Sequence, residues 1–169
     1  PKECQVDSLS GERGSCHSGQ QPVVASFCAH HGEEPALSGE RGSGTIFFGN
    51  CNMHCVYCQN FQISQDYRAQ QDNEIDCSIL AQHMLYIQNV LECHNINLVS
   101  PTHFVPQIVQ AILEAIPLGL HLPLVYNSGG YDSLDIIKKL EGIIDIYLPD
   151  MRYGADEYAR KYSEAPDYV

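Results

Sequence analysis

From Thr45 onward, short runs of β-branched and aromatic residues alternate with longer stretches in which apolar residues recur every three or four positions. Thr45-Ile46-Phe47-Phe48 reads as a strand. After a polar interval, Asp76 stands as the N-cap of a helix running to about Glu92, with Ile79, Leu80, Leu85, Ile87, Val90 and Leu91 as its apolar face. Asn95 to Ser100 is the next strand, and Pro106 fits the first turn of a helix carrying Ile108, Val109, Ile112, Leu113 and Ile116. Pro123 to Asn127 opens a third unit, with Leu134, Ile136, Ile137 and Leu140 on its helix. Ile143 to Leu148 opens a fourth.

Strands that alternate with helices build a parallel sheet with right-handed crossovers, whose chemistry sits in the loops at the strands' C-terminal ends. Three such loops form a candidate binding wall: Ser100 to His103, Asn127 to Gly130, and Pro149 to Arg152. Four units are too few to close an eight-fold barrel, so an open sheet or a truncated barrel is expected. Residues 1–44 read differently, as an irregular Gly- and Cys-rich preface with one short strand at Val23 to Phe27; residues 45–169 carry the βα pattern. Leu-Ser-Gly-Glu-Arg-Gly-Ser occurs twice, at Leu9 to Ser15 and Leu37 to Ser43, as a pair of tight Gly turns or of anion-binding amide nests.

The chain has 169 residues, 44% of them hydrophobic, which supports one domain with a real core. Nine Lys and Arg against a net charge of −12 argue against a nucleic-acid partner. No apolar run approaches the roughly 20 residues of a membrane span, and no signal segment opens the chain, so a cytoplasmic protein is expected. It starts at Pro1 without Met and stops at Val169 inside what reads as a helix or a turn, so a fragment lacking the C-terminal part of its fold is expected.

Cysteines redirect this picture. Cys51, Cys55 and Cys58 form a Cys-x3-Cys-x2-Cys run directly after the first strand of the βα region. Residues this close do not readily pair as disulfides, and metal binding is the better reading. Three thiolates leave one position open on a 4Fe-4S cluster, where something reactive can bind. The competing reading is a zinc site completed by His54, in a non-catalytic interaction module. Cys4, Cys16 and Cys28, with His30 and His31, read either as a second metal site or as buried apolar residues; Cys77 and Cys93 read as packing residues. His103 is either a proton-transfer or cosubstrate contact or a structural hydrogen-bonding residue. Tyr126 and Tyr147 read as packing residues on their strands.

The motif and its placement resemble the radical S-adenosylmethionine enzymes. Three stretches extend the likeness: Gly42 to Phe48, Cys58 to Gln65 and Asn97 to Phe104. Together they resemble the proteins similar to pyruvate formate-lyase activating enzyme, the activases of glycyl-radical enzymes. The resemblance implies a partial (βα)6 TIM-like barrel, of which about four units are present, and a 4Fe-4S cluster on Cys51, Cys55 and Cys58. It implies S-adenosyl-L-methionine on the fourth iron, cleaved reductively to a 5′-deoxyadenosyl radical that abstracts hydrogen. Tyr57 would pack near the adenine, and Ser100, Thr102, His103 and Asn127 would contact the cosubstrate. Asp150-Met151-Arg152 stands where an Asp-x-Lys pattern is usual, and an Arg binds a carboxylate in bidentate fashion. Asn50 stands where Gly is common, a departure expected to tighten the loop. Implied partners are a glycyl-radical enzyme as protein substrate and flavodoxin or ferredoxin as electron donor.

Overall fold

The structure is a computed structural model and describes residues 2–169. Five strands form one sheet in the order β1 (Val24–His30), β2 (Ser43–Phe48), β3 (Ile96–Val99), β4 (Leu124–Ser128) and β5 (Ile146–Pro149). β1 is antiparallel to β2, and the later pairs are parallel. Two single-turn helices, α1 (Pro35–Ser38) and α2 (Phe61–Ser64), flank β2. α3 (Cys77–Asn89), α4 (Val105–Ala115) and α5 (Leu134–Lys139) connect the parallel strands, and α6 (Asp156–Ser163) follows β5. The chain is therefore α/β with a mostly parallel sheet. Its preface supplies β1, which continues past the expected Phe27 to His30. Ile143 and Ile144 precede β5 and pack on the core from a turn.

Pleating divides the sheet into two unlike faces. Ile46 and Phe48, Ile96 and Leu98, and Leu124 and Tyr126 point to one side, where they share a single core with α3, α4 and Leu140. Consecutive strands joined by crossovers of one hand place their helices on one side, and this shared core is the result. On the other face Thr45, Asn97, Val125 and Ile146 lie in register in one row, and Phe47, Val99, Asn127 and Leu148 in the next.

The helices bury most of the stripe the apolar pattern suggests: Leu80, Ile87, Ile108 and Ile112 are buried, and Leu85, Leu91 and Val109 pack against the core. In α3 the buried residues are Leu80, Ala81, Met84 and Ile87, and Ile79 and Val90 face outward. In α4 they are Val105, Ile108, Ala111, Ile112 and Ala115, and Leu113 and Ile116 are exposed. α3 packs beside α4. Ala81, Ala111 and Ala115, which the apolar pattern leaves out, are buried beside the large residues. Asp76 does occupy the N-cap position of α3, but its side chain makes no capping hydrogen bond. No helix among the described residues is long and apolar enough to cross a membrane.

Gly44 is where β2 meets α3. A Cβ there would collide with Ile87 Cγ2 and lie 2.8 Å from the Asn95 carbonyl oxygen. Gly44→Ala is expected to lower stability by about 1–3 kcal/mol through overpacking. Urea unfolding checks this, and an unchanged midpoint would contradict the close approach.

Candidate cofactor site

Beyond Phe48 the chain leaves the sheet through Gly49 and Asn50. Asn50 has φ +61° and is buried, with its Nδ2 donating to Ser18 Oγ at 3.1 Å. This left-handed conformation is open to Gly and tolerated by Asn, which accounts for Asn at a position where glycine is also suited. The following loop has little regular structure, so its backbone polar groups need partners elsewhere. The N–H groups of His54 and Val56 donate to the carbonyls of Ser163 and Tyr162 at the end of α6, each at 2.9 Å. Gln65 Nε2 donates to the Cys55 carbonyl at 2.8 Å, and Asn52 Nδ2 donates to the Tyr131 carbonyl at 2.8 Å.

Held this way, the loop roofs a cavity of about 350 Å³ at the C-terminal ends of β2 to β5. Cys51, Cys55, Cys58 and Tyr57 line it from the loop; Ser100 and Thr102 line it from the end of β3, Asn127 from β4, and Asp150 and Arg152 from β5. The structure therefore brings nine of the ten sequence-derived site residues to one place. His103 is the exception. Its Nε2 donates to the Gly49 carbonyl at 3.0 Å and its Nδ1 is enclosed without a partner, so it props the turn after β2 and does not face the cavity. Of its two readings, the structural one describes it.

The electrostatics of the site follow from its enclosure. Burial pushes the Cys51 thiol up to about 11, and the neighbouring Cys55 and Cys58 push the same way; the Met53 N–H and Arg152 oppose them. Three thiolates this close repel one another, so ionising all three calls for a cation among them. Among the described residues that line the cavity, Arg152 is the only basic one, and it is ion-paired with Asp150. Gly130, with φ +74°, lets the β4 loop lie against the Asp150 carbonyl where any Cβ would clash. Tyr168 Oη ties these two loops, bonding the Gly129 carbonyl at 2.8 Å and the Asp150 carbonyl at 2.7 Å.

Several functional contacts were not legible in the sequence. Asp132 accepts from Thr102 Oγ1 at 2.7 Å, Tyr126 Oη at 2.8 Å and Ser128 Oγ at 2.6 Å, beneath the cavity. Tyr126 is thus both a buried packing residue and part of this network, whereas Tyr147 keeps 37% of its surface. Ser163 Oγ donates to Cys55 Sγ at 2.9 Å across 108 positions of sequence. The one local signal is the spacing of Tyr126 and Ser128, which puts both hydroxyls on one face of β4 just ahead of Asp132.

Among the described residues, no three His, Cys, Asp or Glu side chains converge as ligands of a single metal ion. His54 lines a separate cavity of about 170 Å³ with Cys16 and His17. Its Nδ1 pairs with Glu164 at 3.0 Å, so it does not complete a zinc site with the three cysteines. Cys4 and Cys28 are exposed and Cys16 half-buried, against the expectation of buried apolar cysteines; Cys93 is buried and Cys77 packs at the core edge. The two copies of the heptapeptide serve as turns: the first begins within an Asp7-capped 3₁₀ turn, and the second packs Ser38 and Arg41 against Glu33 and His94.

No protein-family model matches the chain. An uncharacterised protein of Methanocaldococcus jannaschii is 30% identical over 164 residues, covering 93% of this chain and 46% of the relative. The chain spans about half the length of that relative.

His103 yields a pH test. Burial lowers it from 6.5 to about 4. Between those values the unfolded chain binds the proton and the folded one does not, so stability is full above about pH 6.5 and declines as pH falls toward 4, by about 1–3 kcal/mol. His103→Gln keeps a donor for Gly49 and should flatten the decline. Urea midpoints compared between about pH 7.5 and 5 check it; equal slopes in both proteins would refute it.

Proposed function

We propose that the cavity holds a 4Fe-4S cluster with S-adenosyl-L-methionine, and that the chain is the cluster-bearing part of a radical S-adenosylmethionine enzyme similar to the activases of glycyl-radical enzymes. One observation carries this reading: the three cysteines of the Cys-x3-Cys-x2-Cys loop open onto the same cavity as the strand-end loops of β3, β4 and β5. Such a cluster supplies one electron to the sulfonium of the cosubstrate, whose cleavage gives a 5′-deoxyadenosyl radical for hydrogen abstraction.

In this reading Cys51, Cys55 and Cys58 hold three irons. Arg152, anchored by Asp150, offers its remaining guanidinium donors to a carboxylate. Tyr57 gives an aromatic face at the mouth, and Ser100, Thr102 and Asn127 give hydroxyl and amide groups along the wall. Consecutive strand order with the helices on one face supports the finer architecture, a partial (βα)6 barrel in which the face opposite the helices is the interior. A glycyl-radical protein as target, and flavodoxin or ferredoxin as electron donor, belong to the same proposal.

Anaerobic reconstitution with iron and sulfide is expected to load about four of each per chain. Cys55→Ala is expected to abolish the chromophore. Dithionite and S-adenosylmethionine should then release 5′-deoxyadenosine from the loaded protein. Stoichiometric zinc without labile sulfide, or a chromophore indifferent to Cys55→Ala, would overturn the reading.

A further inference from the structure

We propose that Ser163, oriented by Tyr153 and Tyr57, is a positioning residue whose hydroxyl donates to the Cys55 sulfur and raises the reduction potential of the cluster that Cys55 ligates. This rests on the cluster assignment above. It concerns a residue outside the cysteine motif and outside the strand-end loops that wall the cavity.

Cys55 is the most buried of the three thiols at 7% exposure, and Ser163 is fully buried. Ser163 Oγ lies 2.9 Å from Cys55 Sγ and is also hydrogen-bonded to Tyr153 Oη. Tyr57 Oη in turn donates to Tyr153 Oη at 2.6 Å. Each hydroxyl has one proton to give. With Tyr57 donating to Tyr153, the Tyr153 proton is left for Ser163, and the Ser163 proton is left for sulfur. A thiolate accepts only, so ligation fixes the direction of the whole chain. Ser163 cannot drift from this position, because its carbonyl and that of Tyr162 accept from the N–H groups of His54 and Val56 on either side of Cys55.

Cys51 and Cys58 are served differently. Cys51 Sγ meets the Met53 N–H at 3.4 Å within its own loop. Cys58 Sγ lies 3.2 Å from Ser64 Oγ, on a half-buried side chain that borders two cavities. The contact at Cys55 is the one shielded from water, where a hydrogen bond is strongest and where no solvent molecule can replace a deleted hydroxyl. A donor on a ligand sulfur withdraws negative charge and favours the more negative, reduced cluster, which shifts the potential upward. Only an electron moves in this step; the three protons stay on their oxygens.

The test uses the 169-residue chain, reconstituted anaerobically and titrated by spectroelectrochemistry without cosubstrate, with iron and sulfide counted in each variant. Ser163→Ala is expected to keep its cluster and shift to a more negative midpoint. Tyr153→Phe is expected to shift the same way by less, and Ser163→Thr, which keeps a hydroxyl, to return close to wild type. A loaded Ser163→Ala protein with the wild-type midpoint overturns this inference and leaves the cluster assignment standing, as does a Thr variant that shifts as far as Ala. If Ser163→Ala fails to load, Tyr153→Phe decides, since its side chain holds no backbone of the loop; an unchanged midpoint there overturns the inference. A wild-type chain that takes up no cluster removes both.

Discussion

An irregular loop cannot satisfy its own backbone, and the rest of the site depends on how that need is met. The segment from Cys51 to Cys58 borrows acceptors from the end of α6 and from the Tyr131 carbonyl and a donor from Gln65, so segments more than 100 positions apart are fixed against one another. Backbone hydrogen bonds of this kind are insensitive to side-chain identity but strict in distance and direction. They place Cys55 beside Ser163 and turn Cys51 and Cys58 toward the strand ends. The cysteine loop is thus an insert clamped between the β2 terminus and α6.

Those strand ends are themselves aligned by the sheet. Parallel register puts Phe47, Val99, Asn127 and Leu148 in one row, and the residues just beyond it on β3, β4 and β5 reach the cavity. A site assembled from four consecutive strand ends inherits the rigidity of the core on the opposite face. Against this frame the charged side chains of the cavity balance, since Asp150 is paired with Arg152. A cation is called for only as the thiols ionise, which burial opposes at Cys51.

The βα order was legible because each unit announces itself locally, by a β-branched run and then by helical spacing. The cysteine motif was legible for the same reason, since its ligands fall within eight residues of one another. What escaped depends on direction or on distant approach. Thr102 and His103 are adjacent on one 3₁₀ turn, yet one reaches the cavity and the other the Gly49 carbonyl, because successive residues on so tight a turn diverge. The helix stripes were legible at Leu80, Ile87, Ile108 and Ile112, but Ala81, Ala111 and Ala115 carry little hydrophobic signal although helix packing places them inside. Ser163 gave no signal at all: nothing local to a charged helix with two tyrosines points to a cysteine 108 positions earlier.

The hydroxyls gathered on Asp132 have a consequence for the medium around the cavity. Thr102, from the turn after β3, and Tyr126 and Ser128, both from β4, each point a hydroxyl dipole at one carboxylate. A charge that changes above this floor meets dipoles already oriented during folding and not water free to turn. The reorganisation energy of any electron transfer in the cavity is lowered to that extent. The same hydroxyls that hold the walls together also make the site a stiff dielectric.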